Sequence, residues 1–339
     1  MPPMFAGMKL SFLDLVPVTE GGSVAQALAN AADLARHAEA LGYQRYWVAE
    51  HHGMDGIASA ATAVVIAHIG AATSTIRVGA GGIMLPNSAP LQIAEQFGTL
   101  DALFPDRIDL GLGRAPGSDQ RVARALRRTL DSDPNGFPND VVELQSYFAD
   151  DGRTGITATP GAGAKPEMWI LGSSLFGAQL AAILGLPYAF ASHFAPDALD
   201  QALDIYRRDF RPSAVLDKPY AMAGFNVFAA DTAEEAELLA SSQAQSFVRL
   251  RTTGVPGRLP PPVPDYRASL GTQGNAILGQ VLRCSAIGTR ETVADGLADF
   301  VRRTGVDEVM VASSIFDPAA RRHSLALTAR AVRQPEAVS

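Results

Sequence analysis

Three short stretches carry residue types that could do chemistry. The first is Glu50-His51-His52, which follows the apolar run Trp47-Val48-Ala49. A neutral imidazole gives or takes a proton near pH 7, and a carboxylate beside it can orient it. Side chains alternate along an extended chain, so Trp47, Ala49 and His51 share one face while Val48, Glu50 and His52 share the other. One histidine then faces whatever lies beyond the strand end, and its neighbour points toward a packing layer. The competing assignment is a histidine that closes a loop through a backbone hydrogen bond, and the dipeptide alone favours it. A metal site fits poorly, because adjacent strand residues do not easily bind one ion and no second His/Asp pair stands at ligand spacing.

The second stretch is Gly111-Leu112-Gly113-Arg114-Ala115-Pro116-Gly117. It departs from a dinucleotide fingerprint: the third glycine is displaced by one position, Pro116 interrupts, and the acidic residues further on follow no strand. Arg114 at a strand end is suited to grip a phosphate, and the glycines let backbone come close to a ligand. The alternative is a buried arginine paired with Glu50 or Asp109. The third stretch, Gly172-Ser173-Ser174, precedes a helix, where backbone N–H groups and a hydroxyl would face an anion. A plain helix cap accounts for it equally well unless Arg114 faces the same point. Gly81-Gly82 lies within a strand, where glycine is unfavourable unless something must approach closely, such as a flat ring laid on the backbone.

These residues need elements to position them. Apolar patterning predicts strands at 9–16, 45–49, 77–85, 107–111, 167–171, 188–191, 222–228 and 308–312, each followed by a helical stretch. Ser23 with Gln26 and Thr232 with Glu235 read as capping boxes; Thr289 and Asp317-Pro318 open two more helices, and a small-residue helix is expected over 59–72. A helix carrying Arg121, Arg124, Arg127 and Arg128 presents a solvated charged face. Eight strands alternating with helices, and no hairpin signal, predict an α/β protein closed as a (β/α)8 TIM barrel. An open doubly wound sheet is the second choice, since it usually has fewer strands per domain. The expectation is a single barrel domain over 1–339, with a disordered lead-in at 1–8 and insertions at 131–166 and 253–285. In a barrel the site lies at the C-terminal strand ends. Those ends are Asp14, Glu50-His51-His52, Gly81-Gly82, Gly113-Arg114, Gly172-Ser173-Ser174, Ser192-His193, Asn226 and Ser313-Ser314.

Composition narrows the partners. The 339 residues are 47% hydrophobic and 19% charged, as expected of a soluble chain with a large core. A formal charge of -7 disfavours nucleic acid and anionic membranes. The uncharged runs 57–76 and 168–196 contain His68, glycines and Pro187, and read as buried barrel elements rather than membrane spans. Cys284 is the only cysteine, so no intrachain disulfide is possible and a reducing, cytoplasmic setting fits. No signal peptide is expected from the N-terminal residues.

Taken in order, Ala49-Glu50-His51-His52-Gly53, the segment 78–87 and the segment 108–119 resemble the bacterial luciferase-like flavin monooxygenases. The similarity is closest to single-chain alkanal-monooxygenase-like oxidoreductases and runs from about Lys9 to Arg330. The resemblance implies a barrel that binds FMN, usually in a homodimer. It implies that a separate flavin reductase supplies reduced FMN, whose reaction with O2 gives a C4a-peroxyflavin. That species then attacks an aldehyde or other small organic substrate. His51 matches the family's catalytic histidine, and Gly81-Gly82 the site of a non-prolyl cis peptide beneath the flavin. Arg114, Ser173 and Ser174 match the phosphate-binding positions, and the 253–285 insertion would be a lid. Two departures stand out. Ser173 and Gly177 replace an acidic residue and a threonine, shifting phosphate binding toward backbone N–H groups, and Gly113 replaces a cysteine, which removes thiol chemistry. Alternatives within the same resemblance are hydride transfer with a deazaflavin and a non-catalytic flavin-binding or heterodimer-partner subunit. A metal-dependent barrel hydrolase is a further alternative.

Overall fold

The computed structural model describes residues 8–114, 122, 125–126 and 136–333. The expected lead-in up to residue 7, the 115–119 part of the Gly113 segment and residues 131–135 lie outside the described residues, as do all four arginines of the arginine-bearing helix. Eight strands close into a parallel ring. In ring order they are β1 (Lys9–Asp14), β2 (Arg45–Val48), β3 (Arg77–Met84), β4 (Ile108–Gly113), β5 (Glu167–Gly172), β6 (Tyr188–Phe190), β7 (Ala221–Ala229) and β9 (Glu308–Ala312). Every pairing is parallel, and β9 closes the ring by pairing with both β7 and β1. The protein is therefore a TIM barrel, with each crossover made by a helix on the outside.

One further strand was hidden in the sequence. β8 (Ser285–Gly288) pairs with the second half of β7, Asn226 to Ala229, while β9 pairs with Met222 to Asn226. Nine residues of β7 are long enough to serve both neighbours. β8 is four residues, Ser-Ala-Ile-Gly, too short to show a period, and its first residue is the last of the expected 253–285 insertion.

The helices are α1 (Val24–Ala40), α2 (Thr62–Ala72), α3 (Pro90–Leu103), α4 (Phe137–Ala149), α5 (Leu175–Leu184), α6 (Leu199–Asp209), α7 (Ala233–Thr253), α8 (Thr272–Val281), α9 (Arg290–Thr304) and α10 (Pro318–Val332), with a single turn at Tyr266–Ser269. Local signals set several starts. Ser23 Oγ accepts from Gln26 N (3.2 Å), Thr232 Oγ1 from Glu235 N (3.1 Å) and Asp317 Oδ1 from Ala320 N (2.7 Å). Thr289 occupies the cap position of α9 without a side-chain capping bond. Helix α2 begins three residues later than expected, because Ser59 is used elsewhere: its hydroxyl donates to the carbonyls of Ala49 (2.6 Å) and Leu15 (3.3 Å) and ties two loops at the rim. The amphipathic piece near 141–148 is longer in the fold, since Phe137, Val141, Leu144, Tyr147 and Phe148 of α4 are all buried. None of the described helices is long and apolar enough to cross a membrane.

Alternation divides the core in two. Leu10, Phe12, Tyr46 and Val48 point out to the helices, whereas Leu13, Trp47, Ala49, Trp169, Ala189, Met222 and Met310 fill the inside of the barrel. The N-terminal end is sealed by charge. Arg45 pairs with Asp109 (2.9 Å), Glu167 (3.0 Å) and Glu308 (3.1 Å), Arg77 binds Asp109 (2.7 Å), and the Tyr220 hydroxyl and Ser11 hydroxyl donate to Glu308. Buried charges persist only when paired and hydrogen-bonded in this way. This floor leaves the opposite, C-terminal end as the mouth.

Candidate active site

At the end of β2 the two histidines take different surroundings. Glu50 is buried, and its carboxylate accepts from Met84 N (2.9 Å), Asn87 Nδ2 (3.1 Å) and His52 Nε2 (2.8 Å). Glu50 N donates to the Gly82 carbonyl (3.1 Å). Glu50 and His52 thus bind the end of β2 to the turn after β3, as expected from their shared side of the strand. His51 follows Trp47 and Ala49, which lie inside the barrel. A protonated His51 would repel a proton on His193, which stands across the ring after β6.

The Gly81–Gly82 peptide is cis, and the β3–β4 register shifts between Gly81 and Ile83. What comes close to these glycines is protein. A Cβ on Gly81 would lie 2.7 Å from the Trp47 ring, and one on Gly82 would lie 2.6 Å from the Gly111 carbonyl oxygen. Gly81 nevertheless keeps part of its surface open, so the backbone there remains approachable.

Arg114 leaves the end of β4 exposed, and its guanidinium lies 4.2 Å over the ring of Phe176, the second residue of α5. Neither suggested carboxylate holds it: Asp109 belongs to Arg45 and Arg77 on the floor, and Glu50 to His52 and the β3 turn. Ser174 is the N-cap of α5, yet its hydroxyl makes no capping bond, and Ser173 and Ser174 are both exposed. The Arg114 guanidinium, the exposed Ser173 and Ser174 and the first-turn N–H groups of α5 thus belong to one β4–α5 corner of the mouth, with donor chemistry suited to an anion. Gly177 is buried against Leu171 and Tyr188, so no hydroxyl is offered there.

The rim is covered by three loops. Val18 N donates to Gly56 O (2.9 Å), Leu259 N to Val18 O (3.0 Å) and Glu20 N to Leu259 O (2.8 Å). Only the first part of the 253–285 segment takes part; the rest, with α8, packs Leu278 and Val281 against Ala244 and Phe247 of α7 on the flank.

The fold also gathers a group that no sequence motif marked beyond its place at strand ends. Ser192 Oγ donates to Gly224 O (2.6 Å), and Asn226 Nδ2 donates to the His193 carbonyl (2.8 Å). Gln243 Nε2 donates to Asn226 Oδ1 (3.0 Å), while Gln243 Oε1 accepts from Ser314 N (2.8 Å). Burial first, and then the charge of His51, pull the His193 imidazole down to about 4, so it is neutral at pH 7. Ser192, His193, Asn226 and Ser314 were each readable as strand-end residues; Gln243, on α7, carried no signal.

Comparison with known proteins gives the chain a family. The family model for luciferase-like monooxygenases matches residues 8–308. A luciferase-like monooxygenase of Escherichia coli (strain K12) is 53% identical over 318 residues, covering 94% of this chain and 95% of its own. The N-acetyl-S-alkylcysteine monooxygenase of Bacillus subtilis (strain 168) is 36% identical over 237 residues, 68% of this chain and 70% of its own. The crystal structure of apo-MsnO8 superposes with a TM-score of 0.85 at 36% identity, covering 96% of this chain and 98% of the other. The chain is an oxidoreductase and belongs to the luciferase-like monooxygenase family.

Proposed function

We propose that the protein is an FMN-dependent monooxygenase that accepts reduced flavin from a separate reductase and uses O2 on an aldehyde or other small organic substrate. The observation that carries this reading is Arg114 standing over the uncapped start of α5, at the same mouth as Gly81-Gly82 and His51. Arg114, Ser173, Ser174 and the first N–H groups of α5 would hold the phosphate, and the Gly81-Gly82 backbone would receive the ring. Bound there, the reduced flavin supplies the electrons that activate oxygen. The chain's own residues do the rest. His51 gives or takes a proton at a ring nitrogen. Leu13, Trp47, Trp169, Met222 and Met310 line the interior below with apolar surface, and the 17–20 and 254–259 loops cover the rim, which together keep water out.

The test is flavin binding followed by turnover. FMN should quench its fluorescence on titration with the protein, and photoreduced FMN with O2 and an alkanal should yield the carboxylic acid. Preference for a deazaflavin over FMN would replace this reading with hydride transfer. Flavin binding without any turnover, unchanged by His51→Ala, would make the protein a flavin-binding subunit. A homodimer belongs to the same proposal, and sedimentation equilibrium measures it directly.

A further inference from the structure

His193 is seated in a manner that a loop histidine does not require. Its ring rests on β7 at Gly224: a Cβ built on Gly224 would fall 2.0 Å from His193 Nδ1, so only glycine leaves room for the imidazole. The backbone on either side is fastened. Ser192 donates to the Gly224 carbonyl, and the His193 carbonyl is held by Asn226, itself held by Gln243 and, through it, by Ser314 N. Met222, two residues before Gly224 on β7, lies inside the barrel, which puts this seat on the inner wall of the mouth.

Nδ1 is enclosed there with no hydrogen-bond partner. An N–H pressed onto a glycine Cα would meet a C–H and lose its bond to water, whereas a lone pair at that position meets no like hydrogen. The seat therefore favours the tautomer with the proton on Nε2. We infer that His193 is a second substrate-facing residue of the mouth, presenting Nε2–H as an uncharged hydrogen-bond donor to a neutral acceptor oxygen of the bound substrate. Burial and the charge of His51 keep the ring neutral, in agreement with this role. The division of labour follows from charge: Arg114 and the start of α5 serve an anion, and His193, above an apolar interior, serves an uncharged carbonyl or hydroxyl. The inference rests on the mouth being the active site and does not depend on which flavin binds.

Hexanamide, an unreactive carbonyl probe, tests it on the intact protein carrying 15N-labelled histidine. At pH 7 the His193 ring nitrogens should report the neutral Nε2–H form, and hexanamide should shift the Nε2 signal. Gly224→Ala should move the same signals by displacing the ring. Hexanamide affinity should fall about 10-fold in His193→Leu and recover in His193→Gln, whose amide restores a donor. A charged ring or an Nδ1–H tautomer at pH 7 overturns the inference. So does equal hexanamide affinity in wild type, His193→Leu and His193→Gln, or no hexanamide binding at all. FMN quenching in the same samples separates the two proposals: loss of flavin binding in wild type defeats the monooxygenase reading and leaves the His193 result standing.

Discussion

Arg114 keeps its charge at the surface, stacked on Phe176, with no ion pair among the described residues. Its removal should therefore leave the flavin-free fold alone and weaken the phosphate contact. Arg114→Ala is expected to lower FMN affinity about 10- to 100-fold, the worth of one or two charge-assisted hydrogen bonds, with the melting temperature of the flavin-free protein unchanged. Arg114→Lys should recover only part of the affinity, because a point charge cannot reproduce the planar fork. Fluorescence titration and thermal unfolding of the same samples check both halves. His193 gives a pH prediction. Its pKa falls from an ordinary 6.5 to about 4 on folding, through burial and then the charge of His51. The unfolded chain thus takes up a proton before the folded one. Stability from this group is intact above pH 6.5 and is lost as the pH drops toward 4, by up to about 3 kcal/mol. Urea unfolding at pH 7 and pH 4.5 should show a smaller loss in His193→Gln than in wild type.

Two elements deserve separate tests because they close opposite ends of the barrel. The floor depends on Arg45, which reaches three carboxylates from three other strands. Arg45→Ala leaves Asp109 and Glu308 buried with less compensation, and should cost about 3–5 kcal/mol in urea unfolding. The rim depends on close backbone approach between the loops after β2 and α7. A Cβ on Gly56 would lie 2.0 Å from the Gly257 carbonyl oxygen, which no side-chain movement relieves. Gly56→Ala should push the 254–259 segment away from Val18 and Glu20. Faster amide exchange at Leu259 and Glu20, with little change at the floor strands, is the expected signature. Elsewhere the elements followed local chemistry closely. Ser23, Thr232 and Asp317 cap where a capping residue precedes an apolar period, but Ser59, read as the start of α2, is occupied by two loop carbonyls. A hydroxyl's local preference cannot show which distant carbonyl will reach it.

For the whole molecule, the sequence determined the strand–helix repeat, the closed parallel barrel, the alternating faces of β2, and the set of strand ends from which a site could be drawn. These follow from periods of 2 and 3.6 residues, which the backbone fixes locally. That Glu50 and His52 share one side of the strand end was legible for the same reason. Tertiary structure decided what depends on ring closure and register. It brought Arg114 over Phe176 and away from Asp109 and Glu50, laid His193 on Gly224, and used β7 to hold both β8 and β9. It also showed that the narrow space at Gly81 and Gly82 is set by Trp47 and the Gly111 carbonyl. Each of these is a contact between residues of different elements. Their separation is fixed only when eight strands have closed and each has settled into register with its neighbours.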